Sequence, residues 1–96
     1  MTDSHAVIDI GGDIGAIVVR LDTVPPSGEL EARPRGRPDH RFHTGVHLRE
    51  VGGRAVPMAL YPEVDAGPYE ILGDDLEPIA DVDVVGGEVV EITLPA

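Results

Sequence analysis

The six-residue unit VGGRAV at positions 51–56 returns as VGGEVV at 85–90, and the reading of these two units decides the fold. Each lies between runs in which apolar residues alternate with polar ones, the period-two pattern of a strand with one buried face. A glycine pair between two such runs marks a hairpin turn, because glycine enters the positive-φ region without a Cβ penalty. Alternation then selects the loop length. At the second unit, a two-residue Gly86-Gly87 loop would set Glu91 opposite Val82, an acid against the core. A three-residue loop, Gly86-Gly87-Glu88, pairs Val84 with Val90, Val82 with Ile92 and Ala80 with Leu94. The same length at Gly52-Gly53-Arg54 pairs Leu48 with Met58 and Val46 with Leu60, and puts Gly45 opposite Tyr61, whose ring can cover the bare glycine. Both units therefore read as antiparallel hairpins with three-residue loops.

Outward from these hairpins, no segment longer than a turn carries a helical period. The 12 glycines and 9 prolines punctuate the chain every few residues, the layout of an all-β fold with short strands. Strands are expected near 6–10, 15–21, 28–33, 41–50, 55–61, 68–73, 79–85 and 89–94, the first two forming one bent strand around Gly11-Gly12. The expected architecture is a single domain over 6–96, an antiparallel β-sandwich of seven or eight strands, behind a disordered tail at 1–5. The stretch RPRGRPD (33–39) is broken by two prolines and a glycine. It predicts an exposed, mobile basic loop over 33–40 that carries no core residue.

The run Ala66-Gly67-Pro68-Tyr69-Glu70-Ile71, followed by Gly86-Gly87 and a last apolar strand, resembles transthyretin-like and Cna-B-like modules, which are Ig-like β-sandwiches. The resemblance implies that glycine turns the chain into a strand from which Tyr69 and Ile71 point to one side. It covers about the last third of the chain and implies fold rather than function. The whole chain, with DIGGDIGAIVV (9–19) early and AGPYEIL (66–72) late, is also similar to small β-sandwich proteins of actinobacteria, a likeness that brings no activity with it.

Composition narrows the functional classes. With 18 acidic residues against seven arginines and no lysine, the net charge is −11. Such a chain repels phosphate, and one Phe, two Tyr and no Trp leave no platform for stacked bases or sugars, so nucleic acid is not an expected partner. The absence of cysteine excludes disulfides and thiolate metal sites and fits a cytoplasmic setting. No run approaches the roughly 20 apolar residues of a membrane helix, and the N-terminus lacks the basic start and apolar run of a secretory leader.

Against this acidity stands one basic band. Residues 33–54 hold Arg33, Arg35, Arg37, Arg41, Arg49 and Arg54 with only Asp39 and Glu50, a formal +4, so the rest of the chain carries −15. An arginine-rich edge suits carboxylate partners, and these six arginines with His43 and His47 are the expected partner-binding residues. The opposing reading is that the arginines neutralise acidic strands of their own molecule. Histidines ordinarily gain charge below about pH 6.5, so affinity through this band should rise on acidification.

The same band holds HRFHTGVH (40–47), three histidines in eight positions. On a strand, Phe42, Thr44, Val46 and Leu48 face the core, while His43, Gly45, His47 and Arg49 face out. His43 and His47 would then stand about 13 Å apart at the Cα atoms, too far to share an ion comfortably. A divalent-metal site of His40, His43 and His47 with Asp39 remains the alternative, if a neighbouring strand brings its ligands together. Catalysis has less to stand on. There is no cysteine and no G-x-S-x-G turn, and GGDIG (11–15) lacks the strand–turn–helix context of a dinucleotide loop. An enzyme would have to assemble acid–base carboxylates from distant strands.

The expected function is that of a non-catalytic interaction module, a small cytoplasmic accessory subunit or adaptor. It would dock on an acidic protein through its 33–54 edge, or pair through a free strand edge with a partner or a second copy.

Overall fold

The computed structural model describes residues 10–95 and is all β. Seven strands follow in chain order: β1 (Ile14–Arg20), β2 (Glu29–Pro34), β3 (Phe42–Val51), β4 (Arg54–Asp65), β5 (Gly67–Leu72), β6 (Pro78–Val84) and β7 (Val89–Thr93). They form one sheet in the order β6-β5-β2-β3-β4-β1-β7. The two end strands, β6 and β7, come alongside each other without forming a ladder, so the sheet curls almost into a closed barrel. β3 is the pivot: Phe42–Gly45 pairs with β2, and Val46–Val51 pairs with β4. The expected tail at 1–5 and most of the expected strand at 6–10 lie outside the described residues. Ile10 precedes a tight reversal in which Gly11 and Ile14 exchange backbone hydrogen bonds of 3.0 and 2.9 Å.

The core follows the alternation. Ile17 and Val19 of β1, Leu30 and Ala32 of β2, Ala59 and Tyr61 of β4, Ile71 of β5 and Val82 and Val84 of β6 all turn inward. Phe42 stands edge-on to both tyrosines, with ring centroids 5.4 Å from Tyr61 and 5.9 Å from Tyr69. All three aromatic residues of the chain thus form one cluster. Each tyrosine hydroxyl donates a 2.6 Å hydrogen bond to a backbone carbonyl, Tyr61 to Leu30 and Tyr69 to Asp65.

Burial raises the pKa of Tyr61 well above the ordinary 10, with the Glu31 carboxylate adding to the shift. A proton held more tightly in the folded chain contributes stability that is complete below about pH 10 and is lost as pH rises beyond it. The urea midpoint should therefore fall between about pH 9.5 and 11.5. Tyr61→Phe cannot ionise, so although it loses a hydrogen bond it should remove most of that fall. Parallel pH profiles for the two proteins would show that Tyr61 is not the group responsible.

Three expectations are corrected. First, the sheet is mixed, because β1 and β7 run parallel, with Val18 beside Glu91 and Val19 beside Ile92. Second, VGGEVV is not a hairpin. β6 pairs with β5, β7 pairs with β1, and residues 85–88 carry the chain across the seam. That crossing is docked on the start of β1: Gly87 N–H donates to Ile14 O at 2.9 Å, and Ala16 N–H donates to Glu88 O at 3.1 Å. Val90 and Ile92 pack on the core and Leu94 is buried, so the facing of the last strand is as expected and only its ladder partner differs.

Third, VGGRAV is a hairpin with a two-residue loop. Val51 pairs with Arg54, and Val46 with Ala59, around Gly52 (φ 58°) and Gly53 (φ 82°). Two successive positive φ values are what the type I′ turn requires, and its twist matches that of the flanking strands. The expected register assumed that Met58 and Leu60 face the core. Pro57, Ala59 and Tyr61 face it instead, and Leu48 lies beyond the core, 61% exposed. Gly45 sits opposite Glu29 of β2 and is covered by the His47 ring, whose Nε2 would lie 3.0 Å from an added Cβ, and not by Tyr61.

Candidate docking face and the basic band

The corrected register of β4 exposes a face that the sequence reading missed. Residues directly opposite in a ladder share a face, so the outer surface of β1, β4 and β3 can be read row by row. Val18 lies beside Leu60, Arg20 beside Met58, Met58 beside His47, Val56 beside Arg49, and Arg54 beside Val51. β4 thus turns Val56, Met58 and Leu60 outward, all half-buried, with Arg20 on one flank and His47 and Arg49 on the other. This surface hollows into a groove of about 430 Å³ over Val18, Met58, Leu60 and Pro62, with Gly45 and the His47 ring that covers it along one side. In an acidic molecule this face is nearly free of acid. The one carboxylate between Phe42 and Pro62, Glu50, pairs with Ala55 and so alternates to the opposite side of the hairpin. Acids return at the borders, with Glu91 on β7 and Glu29 and Glu31 on β2.

The basic band divides into two parts. In its first part every arginine but Arg37 meets a carboxylate of the same molecule. Arg33 meets Glu70, its ladder neighbour on β5, at 2.8 Å, and Arg35 reaches Asp81 of β6 at 2.7 Å. Arg41 lies 4.0 Å from Glu31, and His43 lies 3.7 Å from Glu29. The hydrogen bond and charge of Asp81 raise the Arg35 pKa further above its ordinary value. The second part is the tip: among the described residues, Arg49 and Arg54 form no ion pair, Arg49 lining the apolar groove and Arg54 a separate hollow shared with Arg20 and Asp22.

The segment expected as an exposed loop is exposed from Arg35 to His40, but its start lies within a strand. Arg33 and Pro34 belong to β2, where Pro34 pairs with Tyr69. Two turns follow back to back, closed by Arg37 N–H to Pro34 O at 3.1 Å and His40 N–H to Arg37 O at 3.0 Å. Gly36 (φ 85°) occupies the third position of the first turn, where type II geometry demands positive φ, and Pro38 the second position of the next, which its fixed φ favours.

The four candidate metal ligands are not gathered. His40 Nδ1 lies 3.1 Å from Asp39, whose pKa falls below its ordinary value chiefly through that hydrogen bond. His40 Nε2 is engaged by Arg37 at 3.1 Å. His43 turns to Glu29, and His47 folds over Gly45. Among the described residues, no group of three or more His, Asp or Glu side chains is placed to hold an ion. No helix among them is long and apolar enough to cross a membrane.

Val56, Met58 and Leu60 were hidden in the sequence because β4 alternates between two apolar faces, and Val18 because it sits in the unbroken apolar run 16–19 of β1, and period-two reading cannot tell such faces apart. The usable signal was the lack of any acid from Val51 to Pro62, twelve residues in a chain that has 18 acids among 96. No family model matches this chain, and no curated protein or solved structure matches it either.

Proposed function

We propose that this protein is a non-catalytic interaction module, a small cytoplasmic accessory subunit that docks an acidic segment of another protein on the outer face of β1, β4 and β3. The observation that carries the reading is the acid-free apolar stripe of β4 with Arg49 and Arg54 on its β3 side, while Arg20 on the other side already lies 3.7 Å from Glu91. Apolar side chains supply affinity when they leave water, and the arginines select carboxylates and speed encounter. Of the expected partner-binding residues, Arg49, Arg54 and His47 border this face, whereas Arg33, Arg35 and Arg41 already have carboxylate partners. The free edges of β6 and β7 are a poorer route for strand addition, because they face each other across the seam. A transthyretin-like, Ig-like sandwich ancestry is supported by β3 passing from one half of the sheet to the other. The Tyr69 hydroxyl, which ties the β4–β5 corner at Asp65, supports it too.

A photo-crosslinking residue placed at Leu60 should capture a specific acidic protein in the native host, and the same residue at Asp83, on the outer face of β6, should not. Arg49→Glu with Arg54→Glu should weaken capture at least about tenfold, a loss near 1.4 kcal/mol, while leaving the fold intact. Equal capture from both positions, or indifference to the charge reversal, would overturn this reading.

A further inference from the structure

Away from the β4 stripe, the 34–41 turns and the β4–β5 corner flank a shallow, open cleft of about 440 Å³. A neighbouring hollow of about 340 Å³ shares Pro34, Arg37, Asp65 and Tyr69 with it, so the two form one trough. The floor is aromatic, made by Phe42 and Tyr69. One wall is basic, with Arg37 and His40, and the other is acidic, with Glu63 and Asp65.

These walls do not close on each other. Arg33, Arg35 and Arg41 each come within 4.0 Å of a carboxylate. Arg37, lining the same cleft as two carboxylates, pairs with neither, and among the described residues its guanidinium meets the His40 ring. The backbone explains the separation. Arg37 sits at the shared corner of the two back-to-back turns, so its main chain is fixed from both sides. On the opposite wall, Asp65 is tied through its carbonyl to Tyr69, whose own hydroxyl proton is held more firmly than usual by burial and by the Asp65 charge. Opposite charges are thus held apart over an apolar floor, an arrangement that favours a ligand of matching dipole over direct contact.

We infer that this cleft binds a small zwitterion with an apolar body, its carboxylate on Arg37 and its ammonium between Glu63 and Asp65. One guanidinium nitrogen is used on His40, which leaves the rest of the five-donor fork for a carboxylate. An ammonium offers three donors to the acidic wall, and the side chain of the ligand lies on Phe42 and Tyr69. A free apolar amino acid and a short peptide share this chemistry. The site is separate from the docking face, and its test does not depend on that reading.

Amide NMR titration of the whole chain decides the matter, with L-phenylalanine and the tripeptide Ala-Phe-Ala as zwitterions. N-acetyl-L-phenylalanine supplies only the carboxylate, and phenethylamine only the amine. At least one zwitterion should shift the signals of Phe42, Val64 and Tyr69 and bind about tenfold more tightly than either single-charge analogue. The tighter of the two names the source. Arg37→Gln should reduce zwitterion binding to the level of phenethylamine. Glu63→Gln with Asp65→Asn should reduce it to the level of the N-acetyl compound. All three side chains are exposed, so these variants should fold. Equal binding of all four compounds, or no shift at about 20 mM, a concentration that would detect even very weak binding, overturns the proposal.

Discussion

Gly86→Ala is expected to destabilise the protein by about 3 kcal/mol, enough to remove much of the stability of a domain this small. A Cβ built on Gly86 would land on the carbonyl oxygen of Gly12 and lie 3.0 Å from Asp13 Cα, so the clash is with backbone and no side chain can swing away. The backbone is also poorly able to yield. Gly11 and Ile14 are bonded to each other, Asp13 O accepts from Ala66 N–H at 2.7 Å, and Gly87 N–H donates to Ile14 O at 2.9 Å. Moving Gly12 would loosen the β1 entry, and moving Gly86 would lift the crossing that delivers β7 to its parallel place beside β1. The urea midpoint measures the loss. The control is Gly87→Ala, which meets open space but keeps a φ of +81°, so it should lose only about 1 kcal/mol. A Gly86→Ala protein as stable as the Gly87→Ala protein would show that the contact between the two glycine pairs does not hold the barrel together.

The two VGG units show where a single sequence stops being readable. Strand positions were legible because glycine and proline interrupt the pattern at nearly every boundary. Burial of Val82, Val84 and Leu94 followed directly from alternation. Alternation fixes which way a side chain faces, but it does not name the strand alongside. At VGGEVV the faces were right, yet the ladder partner was a strand some seventy residues earlier, running parallel. At VGGRAV the ruler itself failed, since Val56, Met58 and Leu60 are as apolar as the inward Pro57, Ala59 and Tyr61. Alternation favours the larger apolar set as the core, and that choice hides the apolar outer face of β4. Charge behaved alike. The basic band could be counted in the sequence, but whether an arginine is neutralised depends on the opposing strand. Arg33 meets Glu70, 37 residues away, only because β2 and β5 are in register.

Phe42→Ala should cost about 3 kcal/mol although the ring is only half-buried, because it holds two other rings in place. Phe42 stands between Tyr61 and Tyr69 with interplanar angles of 89° and 86°, the edge-to-face arrangement that aromatic quadrupoles favour. Neither tyrosine can follow a shrinking neighbour, since each hydroxyl is tied to a carbonyl, at Leu30 and at Asp65. The hole would therefore stay open, which places the expected loss toward the upper part of the range for a residue of this exposure. Phe42→Leu keeps most of the volume and forfeits mainly the ring contacts, so it should lose about 1 kcal/mol. Equal losses for the two variants would mean that bulk is immaterial at this position. The pair also separates the two surfaces. Phe42 floors the cleft, so Phe42→Leu should weaken zwitterion binding while the protein still folds. Capture through Leu60 should be unchanged, because that side chain points away from the core through which Phe42 acts.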